Sequence, residues 1–193
     1  MPRNPTGKLN PEIVAKLGLC WGYDKARDQI ESNDPGTQEY TVSEILRRTW
    51  IDYGDVMFAV CRPEVTPEGV LRTFAADVAQ RLKWRVVESF GEARVKLLRD
   101  AVESSLSNDR PRMDVVAREI HKMCRRLIPR SEDKSANEAL KCFRSCVKQN
   151  PGEAALGAAW HASQSAFEAE GVFGRDRERN RQREHLALLF NRG

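Results

Sequence analysis

Apolar residues return at helical spacing along most of this chain, and strand-like alternation is scarce. Val70, Phe74, Val78 and Leu82 recur every fourth position, with Leu71, Ala75 and Ala79 one step round. The stretch opening at Thr66-Pro67-Glu68 therefore predicts an amphipathic helix with Arg72, Asp77, Gln80, Arg81 and Lys83 on its polar face. A second stripe after Gly91 runs through Val95, Leu98, Val102 and Leu106 and is stopped by "SNDRP". A third, after Pro111, uses Val116, Ile120, Met123 and Leu127 up to Pro129. The next uses Ala136, Leu140, Phe143 and Val147 and stops before Pro151, and another runs through Leu156, Ala159, Trp160, Ser163 and Phe167.

Boundary signals agree with these spans. Asn10-Pro11-Glu12 reads as an N-cap, an N1 proline and an acidic first turn for a short helix over "PEIVAKLG". A short helix over "YDKARDQI" ends before "SNDPG". Thr41 with Glu44 has capping-box spacing and opens an apolar stretch up to Arg62-Pro63, inside which Gly54 offers a break. "GVFGRDRER" reads as a turn into a last, highly charged helix that ends in the apolar "HLALLF". With no Asn-Gly or Asp-Gly hairpin signal, the expectation is an all-α fold. It would be a single compact array of about seven to nine mostly antiparallel helices, as a bundle or a short solenoid-like stack. Residues 1–40 would be short helices and turns packed on a main helical domain spanning 41–193.

Composition narrows the class. The chain has 193 residues, 40% hydrophobic and 31% charged, as in an ordinary globular protein. No apolar run approaches the roughly 20 residues of a spanning helix, and the N-terminus lacks a signal-peptide pattern, so the expectation is a cytoplasmic protein with no membrane partner. The formal charge of +4 arises from 32 basic and 28 acidic residues that are well mixed. Such a field is weak and leaves nucleic-acid binding open without demanding it. Five cysteines, an odd number, fit a reducing compartment better than a disulfide framework.

Two of those cysteines raise a question of chemistry. "KCFRSCVK" places Cys142 and Cys146 about 40° apart on one helix, and "HKMC" places His121 and Cys124 about 60° apart on the preceding one. Four such groups facing across two helices could hold a tetrahedral zinc. Against that, Cys124 and Cys146 lean toward their apolar stripes, where cysteine behaves as a small hydrophobe, and ordinary packing is the favoured reading. Cys142, nearer the helix boundary, is expected to be less buried than Cys146. A thiol nucleophile paired with His121, His161 or His185 lacks any local signature, and no phosphate-cradling loop is present. No cofactor is expected.

The most basic stretch, "RDRERNRQRE", carries Arg175, Arg177, Arg179, Arg181 and Arg183. Their spacing of two spreads them around a helix, and Asp176, Glu178 and Glu184 offset part of the charge, so an ion-paired solvated face is the plain reading. With Lys122, Arg125 and Arg126 near another helix C-terminus, they are also the candidate residues for a nucleic acid or an acidic partner. Trp21, Trp50, Trp84 and Trp160 read as core or interface residues.

Short motifs add a resemblance. "VLRTFAADVAQR" (70–81), "NDRPRMDVVAREI" (108–120) and the small-residue helix "GAAWHASQSA" (157–166) resemble a group of bacterial all-helical immunity proteins, over about half the chain. "REHLALLF" is similar to the Leu-Leu-containing final helix of related alanine-rich proteins. An additional helix, "EARVKLLRDAVESSL", separates the first two motifs here. The resemblance implies a compact helical protein that binds another protein, with no catalytic residue to transfer. On the residues themselves, Asp109, Arg110 and Arg112 could join Arg72, Asp77 and Arg81 in a buried structural network.

These readings converge on a non-enzymatic, cytoplasmic helical protein acting by protein–protein binding or self-association, with an immunity or defence role implied by the resemblance. A nucleic-acid-associated accessory subunit is the alternative, and zinc binding through His121, Cys124, Cys142 and Cys146 is the second alternative.

Overall fold

The structure is a computed structural model and describes residues 7–10 and 23–192. It is all-α, as the apolar periodicity predicts. Strands β1 (Lys8–Leu9) and β2 (Tyr40–Thr41) form a minimal antiparallel pair in which Lys8 faces Thr41 and Leu9 faces Tyr40. The helices are α1 (Tyr23–Asn33), α2 (Val42–Leu46), α3 (Tyr53–Val60), α4 (Glu68–Arg81), α5 (Lys83–Phe90), α6 (Val95–Leu106), α7 (Arg110–Leu127), α8 (Lys134–Cys146) and α9 (Pro151–Arg192). The helix expected over "PEIVAKLG", together with Cys20 and Trp21, lies outside the described residues.

Local chemistry sets most boundaries. Thr41 and Glu44 form the capping box that opens α2. The apolar stretch beyond it does break, but at residues 47–52 rather than at Gly54, because Asp52 caps α3 by accepting from the Gly54 N–H. Asp109 and Asp133 cap α7 and α8 in the same way. The stripe through Leu82 ends as a helix one residue early: Leu82 links α4 to α5, which carries Trp84 away from the core.

Helix α4 lies at the centre, packed by α6, α8 and α9, while α7 packs on α6 and α8. Leu71, Phe74 and Val78 of α4 and Leu140 and Phe143 of α8 are fully buried, as their spacing predicts. The described part of residues 1–40 docks on this body. Leu9 is buried, and Asp34 accepts from the Tyr40 hydroxyl (2.8 Å) and Trp50 Nε1 (3.3 Å) and pairs with Arg48 (2.7 Å).

Helix α9 is two helices joined at Gly171, whose φ of 69° and ψ of −154° lie in a region that only glycine occupies readily. The chain reverses there. Gln182 Nε2 donates to the Ala159 carbonyl at 3.3 Å, although a separation of 23 residues would put them about 34 Å apart on a straight helix. Residues 151–170 are the outgoing arm and residues 172–192 the returning arm of a helical hairpin.

Candidate functional site

Small residues decide how the hairpin packs. Ala154, Ala155, Ala158, Ala159 and Ala162 are buried on the outgoing arm, and a side chain at Gly174 would meet the Ala166 carbonyl oxygen at 2.6 Å. The buried face of the outgoing arm is turned relative to its expected stripe, with Leu156 and Phe167 only half-buried. Trp160, expected inside, is 53% exposed.

The inner face of the returning arm is polar as well as apolar. Gln182 and Arg183 are buried beside Leu186 and Ala187. The Gln182 side chain hydrogen-bonds the Tyr53 hydroxyl and donates to Glu178 at 2.8 Å, and Glu178 in turn pairs with Arg81 at 2.9 Å. Burial pushes the Tyr53 phenol well above its ordinary pKa. Arg183 donates to the carbonyls of Arg48 and Ile51, both at 2.7 Å, and so ties the loop between α2 and α3 to the arm. His185 meets Asp77 of α4 at 3.0 Å.

The outer face carries Phe173, Arg177, Asn180, Arg181, Glu184 and Leu188, all exposed. By the roughly 100° step of a helix they lie within about 100° of arc. This ridge runs between two grooves that share Glu184 and Leu188. One, about 570 Å³, includes Leu46, Arg47, Thr49 and Ala187, and the other, about 430 Å³, includes Asp77, Gln80, Arg81 and His185. At the hairpin corner Phe173 is 88% exposed, with Val172 exposed beside it. Trp84 of α5, 56% exposed, is covered on one face by Arg85, which pairs with Glu170 at 3.7 Å next to the corner.

The five arginines of the basic stretch therefore separate by role. Arg175 pairs with Asp176 at 3.2 Å and lies over Phe167. Arg177 holds Glu170, and Arg179 stacks 4.8 Å from the Tyr53 ring. Arg183 is buried, and Arg181 is exposed. On α7, Lys122 pairs with Glu119 at 2.8 Å and Arg125 and Arg126 are exposed.

The expected zinc constellation does not assemble: among the described residues no group of three or more His, Cys, Asp or Glu could hold a metal. His121 is on the solvent side of α7 while Cys124 is buried. Cys142 and Cys146 are both fully buried, which corrects the expectation for Cys142. It faces the outgoing arm, where its thiol donates to the Ala158 carbonyl at 3.4 Å. Burial raises both thiols, Cys146 to about 12. They behave as packing residues.

The expected network of six charged residues is likewise not one network. Arg72 is buried against the carbonyls that follow α8, Asp77 meets His185, and Arg81 meets Glu178. Asp109 caps its own helix, the Arg110 carbonyl accepts from Gln149, and Arg112 pairs with Asp100 and Glu103. Asp77, Arg81 and Arg112 each took a partner on a neighbouring helix, whereas Arg72 and Asp109 are satisfied by backbone groups, and sequence spacing does not encode which.

Sequence reasoning missed the ridge, because its apolar ends, Phe173 and Leu188, sit in stretches read as a turn and as the apolar end of the last helix. The available signal was the recurrence of positions 173, 177, 181, 184 and 188 at helical spacing. Comparison with known proteins found no matching family model, no similar curated protein and no similar solved structure.

Proposed function

We propose that this chain is a non-catalytic binding protein that holds a protein partner with the hairpin corner and outer face of its returning arm. The observation that carries this is Phe173, a large apolar side chain 88% exposed at a glycine-imposed reversal. Val172 and Trp84 stand exposed around the same corner. Large exposed apolar groups gathered in one place mark interaction sites, whereas scattered single ones do not.

Charge supports a protein over a polyanion. Arg85, Arg175 and Arg177 around the corner are each held by Glu170 or Asp176, so the corner offers apolar surface with a neutralised polar rim, as protein interfaces do. Nucleic acid and anionic lipid are instead gathered by free, aligned cations. The resemblance to immunity proteins fits the same role.

The test is capture from extracts of the native host with wild type, Phe173→Asp and, as a remote control, Leu106→Asp on the exposed end of α6. A partner retained by wild type and by L106D, and held at least about tenfold more weakly by F173D, is the expected result for an apolar hot spot. Equal retention by wild type and F173D overturns the reading.

A further inference from the structure

The outer face of the returning arm is complementary to itself when reversed. Two copies of a helix laid antiparallel about a two-fold axis bring residue i of one opposite a fixed mirror position of the other. Centring the axis between Asn180 and Arg181 brings Phe173 level with Leu188 and Arg177 opposite Glu184, with Asn180 and Arg181 on the two flanks of the seam. Apolar groups meet at both ends and opposite charges meet inside them.

Three further observations favour a second copy as the occupant. Glu184 is exposed and has no ion-pair partner among the described residues, although it is charged. Arg177 holds Glu170 yet is 71% exposed, and a guanidinium has donors to spare for a second carboxylate. The grooves flanking Leu188 offer space, walled in part by Leu46 and Ala187, where the Phe173 of the opposite arm would arrive.

We infer that this protein forms a two-fold symmetric dimer through its returning arms, with the Phe173 side chain of each copy seated beside Leu188 of the other and Arg177 paired with Glu184 across the interface twice. The inference deepens the protein-binding reading above and rests on it. An interface built on one helix face lies at the small end of specific contacts, so the dimer is weak, with a dissociation constant on the order of tens of micromolar.

Sedimentation equilibrium of the purified full chain from about 1 to 500 µM tests it, a range that brackets such weak small-interface contacts. Wild type should rise with concentration from its monomer mass of 22.0 kDa toward twice that value. Arg177→Glu and Glu184→Arg each create two like-charge contacts and should weaken association at least about tenfold, while the double variant R177E/E184R should return to within about threefold of wild type. All these positions are exposed, so circular dichroism should be unchanged. Wild type that stays monomeric, single variants that associate normally, or a double variant that fails to recover overturns the dimer. A monomeric wild type whose host partner still depends on Phe173 would end the dimer and leave the binding reading standing.

Discussion

Arg72 shows how far a residue's environment can depart from its sequence neighbourhood. It sits among polar-face positions of the α4 stripe, yet it is 1% exposed, because its side of α4 is covered by the end of α8 and the segment that follows it. Its guanidinium donates to the Lys148 carbonyl at 2.5 Å and to the Gln149 carbonyl, and reaches Glu68 at 3.5 Å. Burial lowers its pKa, and the end of α8 supplies the acceptors that make the buried cation tolerable. Arg72→Met keeps the volume and strands those two carbonyls. It should cost about 2–4 kcal/mol in urea unfolding, with the slope unchanged. Cys142 is a parallel case: its position at the edge of its stripe predicts partial exposure, and the outgoing arm of α9 closes over it.

At the scale of elements, the hairpin of α9 turns at Gly171. "GVFGRDRER" is recognisable in the sequence as a turn, but the sense of the reversal depends on a backbone conformation available to glycine. Gly171→Ala should destabilise the protein by about 1–3 kcal/mol. Hydrogen exchange should then quicken first in residues 172–192, since the returning arm is what the corner positions. Unchanged stability and exchange would show that the corner is not under that constraint. Helix ends were mostly legible, since caps such as Thr41 with Glu44 and Asp109 act within four residues. The rotation of the outgoing arm was not, because the face it buries meets α8, where Ser135 reaches Ser165 and Cys142 reaches Ala158, and that contact is not written in its own periodicity.

For the whole molecule, stability against acid reports on contacts between helices. Glu138 of α8 accepts from Lys141 at 2.5 Å and meets His161 of the outgoing arm at 2.8 Å. Burial acts to raise its pKa, but His161 and Lys141 together outweigh burial and hold the carboxyl below its ordinary value of 4.5. Because the folded value is the lower one, this group favours folding at neutral pH, and its contribution is lost as pH falls from about 4.5 through the folded pKa. Unfolding free energy measured from pH 7 to pH 3 should drop in that window, and Glu138→Gln should flatten the drop. An identical profile in the variant would remove Glu138 as its source. The sequence by itself determined the helical class, most helix limits and most of the apolar core, because periodicity and capping are local and act within a turn or two of chain. Only the tertiary structure decided which charges are buried, which partner each one takes, that the cysteines are packing residues, and that Phe173, Arg177, Glu184 and Leu188 share one open ridge. Those outcomes depend on which helices lie side by side, and that arrangement is fixed by burial summed over the whole chain.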